Sequence, residues 1–133
     1  MTAWRDRPLP PSFREELAGR EEVLVTSREA GREVTVPMTF AVGATGHVYL
    51  MTSAFSRKAR RWERDPWVRL TVGRGAAGVE GAAVRIAADD LAAGDLEPVL
   101  ERFRSAGAAT PEALRELVAS GTHLLFRVDR RGA

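Results

Sequence analysis

The sequence predicts a mainly β protein with short helices: a closed or partly closed antiparallel barrel of about six strands. Three observations carry this. Short apolar or alternating runs follow one another at turn-length spacing from about residue 22 to residue 88. One helical pattern interrupts them, between the third run and the fourth. A helical stretch after Asp89 then precedes a last strand-like run. At 133 residues the chain is expected to be one domain, 1–133, able to bury about two-thirds of its unfolded surface around one core.

In order along the chain, Pro8-Leu9-Pro10-Pro11 leads into Ser12-Phe13-Arg14-Glu15, a capping-box spacing that predicts a helix from Ser12 to Gly19. Strands are expected at Glu22–Ser27, Glu33–Ala41, His47–Thr52, Trp67–Gly73, Val79–Ala88 and Thr122–Asp129, parted by turns containing Gly or Asp. In the fourth, Val68, Leu70 and Val72 alternate with Trp67, Arg69 and Thr71, as a strand with one face in a core requires. Between the third and fourth strands, Ser56 is a good N-cap for a helix Arg57–Arg64 that Asp65-Pro66 stops. Further on, Asp95–Ser105 reads as a helix with Pro98 in its first turn. Thr110-Pro111 opens another, whose apolar face is Leu114, Leu117 and Val118 and whose stop is Gly121. Apolar residues on both faces of the strands imply that a second copy covers one of them, so a homodimer is expected.

Composition narrows the chemistry. The formal charge of +2 does not call for a nucleic acid or an acidic membrane as partner. Without cysteine there are no disulfides, thiolate metal sites or thiol nucleophiles. The two histidines, His47 and His123, have no Asp, Glu or His at ligand spacing, so no metal site is expected. No Ser stands in a Gly-x-Ser-x-Gly elbow, which leaves hydrolase chemistry unsupported. Gly73-Arg74-Gly75-Ala76-Ala77-Gly78 spells G-x-G-x-x-G but precedes a strand, so it reads as a hairpin loop. Asp89 and Asp90, being adjacent, read as a turn. Tyr49 and Trp62 read as core residues. With no apolar signal core and no run long enough to span a bilayer, a cytoplasmic protein is expected.

The most informative segment is Thr52-Ser53-Ala54-Phe55-Ser56-Arg57-Lys58-Ala59, where a strand hands over to a helix around the chain's one lysine. Two hydroxyls, two cations and free first-turn N–H groups converge there, a combination suited to a phosphate monoester. At 100° per residue Arg57, Arg60, Arg61 and Arg64 form one stripe, read as solvated, whereas Lys58 lies off it on the flank nearer Trp62.

Val48-Tyr49-Leu50-Met51-Thr52, then Ser56-Arg57-Lys58-Ala59, then Asp65-Pro66-Trp67-Val68 resemble the pyridoxamine 5′-phosphate oxidase-like, FMN-binding split β-barrel superfamily, which includes the flavin/deazaflavin oxidoreductases. Upstream, Gly31-Arg32-Glu33-Val34-Thr35-Val36-Pro37-Met38 resembles that family's glycine turn and the strand bordering the isoalloxazine ring. The resemblance covers roughly residues 20 to 86. It implies a split barrel, a homodimer and FMN as cofactor, with the deazaflavin coenzyme F-420 as alternative. By the same resemblance Thr52, Ser56, Arg57 and Lys58 would hold the phosphate, Val36, Pro37 and Met38 would border the ring through backbone groups, and Met51 would line the pocket. The implied activity is hydride transfer to or from a small organic substrate. A non-catalytic flavin- or haem-binding protein is the other alternative. A vitamin B6 oxidase role is not expected, because the strand Val34 to Phe40 holds no cation and the substrate-binding C-terminal segment of those enzymes has no counterpart here. No residue stands out as proton donor.

Overall fold

The computed structural model describes residues 4–5, 7–73 and 77–131. The elements are β1 (Trp4–Arg5), α1 (Pro11–Leu17), β2 (Glu22–Glu29), β3 (Arg32–Val42), β4 (Val48–Ser53), α2 (Arg57–Arg64), β5 (Trp67–Thr71), β6 (Val79–Ile86), α3 (Leu96–Arg102), α4 (Pro111–Ala119) and β7 (His123–Arg131). Every strand pairing is antiparallel, in the order β7-β4-β3-β2-β5-β6, and β6 returns to β7. Six strands therefore close into a barrel, and β1 is added at the far end of β7. The expected strands are all present, within two residues at most ends; β1 was not expected, since two residues leave no periodicity to read. The middle of the Gly73–Gly78 loop lies outside the described residues.

The barrel interior takes alternate residues of each strand. Val23 and Val25 of β2, Met38 and Phe40 of β3, Val48 and Leu50 of β4, Val68 and Leu70 of β5, and Leu124, Phe126 and Val128 of β7 all turn inward. Phe13 and Leu17 from α1, with Trp62 from α2, complete this core; the Trp62 indole donates to Ser27 Oγ at 3.0 Å and meets Phe126 edge-on. α1 begins one residue earlier than expected. Pro11 takes its first position and Pro10 the cap, and Ser12 makes no capping hydrogen bond, because a proline with its preset φ already suits a first turn that needs no N–H there.

A second apolar cluster explains why β4 reads as a continuous run instead of alternating. Ala41, Tyr49, Ile86 and Leu125 point out of the barrel and are covered by Val99, Leu100 and Phe103 from α3 and its end, and by Leu114 from α4. The outer face that had suggested a second copy is thus packed by the chain's own helices. Full burial of each such side chain is worth about 1.5–3 kcal/mol. α4 is built as expected, with Thr110 Oγ1 accepting from Ala113 N at 3.1 Å and Gly121 at φ +79° ending it. α3 is shorter than expected: it stops at Arg102, and a single 3-10 turn, Arg104–Ala106, replaces its last residues. Among the described residues no helix is long and apolar enough to cross a membrane.

Candidate functional site

The barrel opens between β3 and β4. Their pairing covers just Phe40↔Leu50, Ala41↔Tyr49 and Val42↔Val48, whereas β3 runs on from Thr39 back to Arg32 with β2 as its sole partner, and β4 beyond Leu50 pairs with β7 alone. Phe40 N–H donates to the Glu21 carbonyl on the β2 side at 3.3 Å. By antiparallel alternation Val36 and Met38 also turn their backbone groups toward β2, which leaves the Thr39 N–H and the Pro37 C=O facing the gap, while the Phe40↔Leu50 pairing engages the Thr39 C=O. Backbone groups at an open strand edge need partners. Here the fold leaves one donor, the Thr39 N–H, and one acceptor, the Pro37 C=O, free for a ligand.

A cleft of about 360 Å³ occupies this gap, bounded by Pro37, Met38 and Thr39 of β3, Met51, Thr52 and Ser53 of β4, Lys58 of α2, Arg102 and Phe103 at the end of α3, Ser105 and Ala106 of the turn after it, and His123 of β7. Five of the eight expected site residues, Pro37, Met38, Met51, Thr52 and Lys58, are brought together. Three are not. Val36 packs its side chain against the barrel core. Ser56 serves as N-cap: its Oγ accepts from Ala59 N at 3.2 Å and from Thr52 Oγ1 at 3.0 Å. Arg57 faces a different groove. Thr39, Arg102 and His123 are site residues that sequence reasoning did not single out. His123 has no Asp, Glu or His at ligand spacing, and nothing around it in the sequence distinguishes it from any other strand histidine.

Electrostatics single out two side chains in the cleft. Lys58 and Arg102 are both half-buried, and neither makes a hydrogen bond or ion pair with another described residue. Lys58 occupies the flank expected from helical projection, off the arginine stripe. That stripe lines a separate groove of about 430 Å³ with Arg28 and the β2–β3 turn at Ala30-Gly31. Arg57, Arg60 and Arg64 are exposed there as expected. Arg61 is not: it is buried and its Nε donates to Glu29 Oε2 at 3.0 Å.

The wall bearing Arg102 is anchored from below. Asp95, wholly buried at the start of α3, does not cap that helix. It turns to the β3–β4 loop and accepts from Thr45 N at 2.9 Å, from Thr45 Oγ1 at 2.5 Å and from the Tyr49 hydroxyl. Burial pushes the Asp95 carboxyl up, but the hydrogen bonds from Thr45 and Tyr49 outweigh it and hold the group below the usual carboxylate range. Burial, then the neighbouring Asp95 carboxylate, pushes the Tyr49 hydroxyl well above its ordinary value. Gly43 makes this approach feasible, since a Cβ there would stand 2.1 Å from Asp95 Cγ. Tyr49 is therefore a core residue, as is Trp62. Asp89 pairs with Arg115 and Asp90 accepts from Ala87 N in a 3-10 turn, as the turn reading expected.

No protein-family model and no curated protein matches the sequence. Solved structures do match. A Listeria innocua protein assigned as a pyridoxamine 5′-phosphate oxidase is similar at TM-score 0.56 and 15% identity, over 88% of this chain and 89% of that one. This chain shares that protein's fold, a six-stranded split barrel. An FAD-binding protein from Mesorhizobium loti shares this split barrel at TM-score 0.55 and 17% identity, over 96% and 98% of the two chains. So does the haem-storage protein HutZ of Vibrio cholerae, at TM-score 0.58 and 19% identity, over 95% and 92%. The chain also matches a protein of unknown function from Agrobacterium tumefaciens (TM-score 0.64, 18% identity), with 93% of its own length but only 56% of that protein's.

Proposed function

We propose that the cleft between β3 and β4 binds FMN and that the protein is an FMN-dependent oxidoreductase acting on a small organic substrate, working as a homodimer. The observation that carries this is the pairing, in one cleft, of an unpartnered lysine at a helix start with an open strand edge. The two features suit the two ends of one molecule. Lys58, with the unsatisfied first-turn N–H groups of α2, would hold a phosphate by charge-assisted bonds, the Thr52 hydroxyl steadying the Ser56 cap beside it. The Thr39 N–H and the Pro37 carbonyl would meet the polar edge of a flat heterocycle, and the side chains of Pro37, Met38 and Met51 would pack against its apolar body. A bound flavin would supply hydride transfer; the protein's part is to place it, exclude water from one face and hold the phosphate charge.

Titration of the apo-protein with FMN and with riboflavin, which lacks the phosphate, tests both ends at once. Lys58→Ala is expected to weaken FMN binding by about 1.5–3 kcal/mol, roughly ten- to a hundredfold, and to leave riboflavin binding nearly unchanged. Undiminished FMN affinity in Lys58→Ala would sink the phosphate assignment.

One further reading has an observation in its favour. The arginine-lined groove of Arg57, Arg60, Arg61 and Arg64 would suit the anionic tail of the deazaflavin coenzyme F-420 better than it suits FMN, which has no such tail. The visible spectrum of the purified protein, or reconstitution with each cofactor, separates the two readings.

A further inference from the structure

The cleft does not end at Arg102. A second chamber of about 740 Å³ lies beyond it, between the end of α1, the outer edge of β3 and α3, and the two chambers share Thr39, Arg102 and Ser105 as walls. They are two rooms of one groove with Arg102 at the doorway. Arg102 differs from every comparable arginine among the described residues. Arg14, Arg61, Arg69 and Arg127 are likewise not fully exposed, and each donates to an acceptor: the Leu9 carbonyl at 3.1 Å, Glu29 at 3.0 Å, Glu33 at 2.7 Å and Asp129 at 2.6 Å. Arg102 has none.

Glu21 and Glu22 line the same chamber but make no ion pair with Arg102, and its own helix offers no free acid within one turn. The residue one turn earlier is Pro98, and Glu101 is committed to Arg104 at 2.9 Å. What holds the guanidinium is the face of Phe40, whose ring centroid lies 5.5 Å away. A cation–π contact fixes the position of the group without using its N–H donors or neutralising its charge. Half-buried charge without a counter-charge costs stability, so its retention at the junction of two chambers marks a place where a ligand brings the anion.

We infer that Arg102 is the specificity-determining residue of the second chamber, and that the substrate presented to the cofactor carries a carboxylate. A planar fork of N–H donors matches a carboxylate bidentately; Phe40, Val42 and Pro98 stand beside it, and Arg20, Glu21, Glu22 and Glu101 make the rest of the room polar. This rests on the flavin reading above, with the phosphate end of the cofactor at Lys58 and the substrate entering from the opposite side.

The test uses benzoate and benzamide, one ring with and without the negative charge, titrated by calorimetry into the FMN-loaded protein. Benzoate is expected to bind at least about fivefold more tightly than benzamide; Arg102→Gln should bring the two within about twofold, and Arg102→Lys should restore part of the difference. FMN and riboflavin affinity are read in the same variant, and the melting temperature of Arg102→Gln should not fall, since the substitution removes a half-buried charge with no counter-charge. Three results would each overturn the inference: a parent protein indifferent to the charge, a benzoate preference that survives Arg102→Gln, or a tenfold or greater loss of FMN in Arg102→Gln with riboflavin spared, which would give Arg102 to the cofactor phosphate. The same titrations on apo-protein keep the two readings apart. If FMN fails to bind the parent but Arg102→Gln still abolishes the benzoate preference, the flavin assignment falls and the carboxylate site stands; if apo-protein shows no preference either, both fall.

Discussion

Helix α2 presents cations to two different hollows. In the arginine groove, Arg57, Arg60 and Arg64 stand exposed beside the β2–β3 turn, and the one buried member, Arg61, is neutralised by Glu29. In the cleft on the Lys58 flank, fewer cations are present, but Lys58 and Arg102 are half-buried and neither has a hydrogen-bond or ion-pair partner among the described residues. The number of charges favours the groove. The physics favours the cleft, because exposed charges are screened by water and salt within about 10 Å, whereas charges in a concave, partly desolvated site interact strongly with what enters. Counting arginines along a helix therefore misleads about where an anion is held.

The contrast can be broken hardest at its foundation. The cleft has an anchored wall, Asp95 tying α3 to the β3–β4 loop, and Asp95→Ala would strand the buried Tyr49 hydroxyl and the Thr45 N–H. A loss of about 3 kcal/mol of stability is expected in denaturant unfolding, with α3 the region that gains hydrogen exchange first. The same network sets a pH dependence. The folded Asp95 carboxyl lies below its unfolded value, so its contribution is fully present above the unfolded value, near about pH 4, and is lost as pH falls through the folded one. Asp95→Asn should flatten that acid limb; an unchanged limb would mean that another carboxylate governs it.

A smaller effect is expected at the open strand edge. Thr39→Pro removes the one N–H that faces the gap while leaving the β2 ladder intact, and should weaken FMN and riboflavin alike by about 1 kcal/mol. This is the complement of Lys58→Ala, which should affect FMN alone. A Thr39→Pro protein that binds riboflavin normally would move the ring elsewhere.

The smallest effects belong to the groove. Arg60→Ala and Arg64→Ala should change FMN affinity by less than about 0.5 kcal/mol, and whatever change appears should vanish on raising the salt. A large, salt-resistant loss there would reverse the comparison and favour a ligand with an extended anionic tail.

Strand content, the single helix between β4 and β5, its Ser56 cap and its Asp65-Pro66 stop, and the off-stripe position of Lys58 were all determined by the sequence itself, because each depends on neighbours within one turn or one pleat. Capping, proline geometry and 2.0- or 3.6-residue periodicity are local physics. What only tertiary structure decided is everything that depends on two strands failing to meet. The β3–β4 pairing ends at Phe40↔Leu50, and that end turns Thr39 from an ordinary strand residue into a free donor, while Val36 stays with β2 and the barrel core. Arg102 and His123 reach the cleft from residues more than forty positions beyond Lys58, and Asp95 exchanges a helix cap for a loop some fifty residues away. No periodicity encodes such encounters. They follow from how the barrel closes and which helices its outer face needs to cover it.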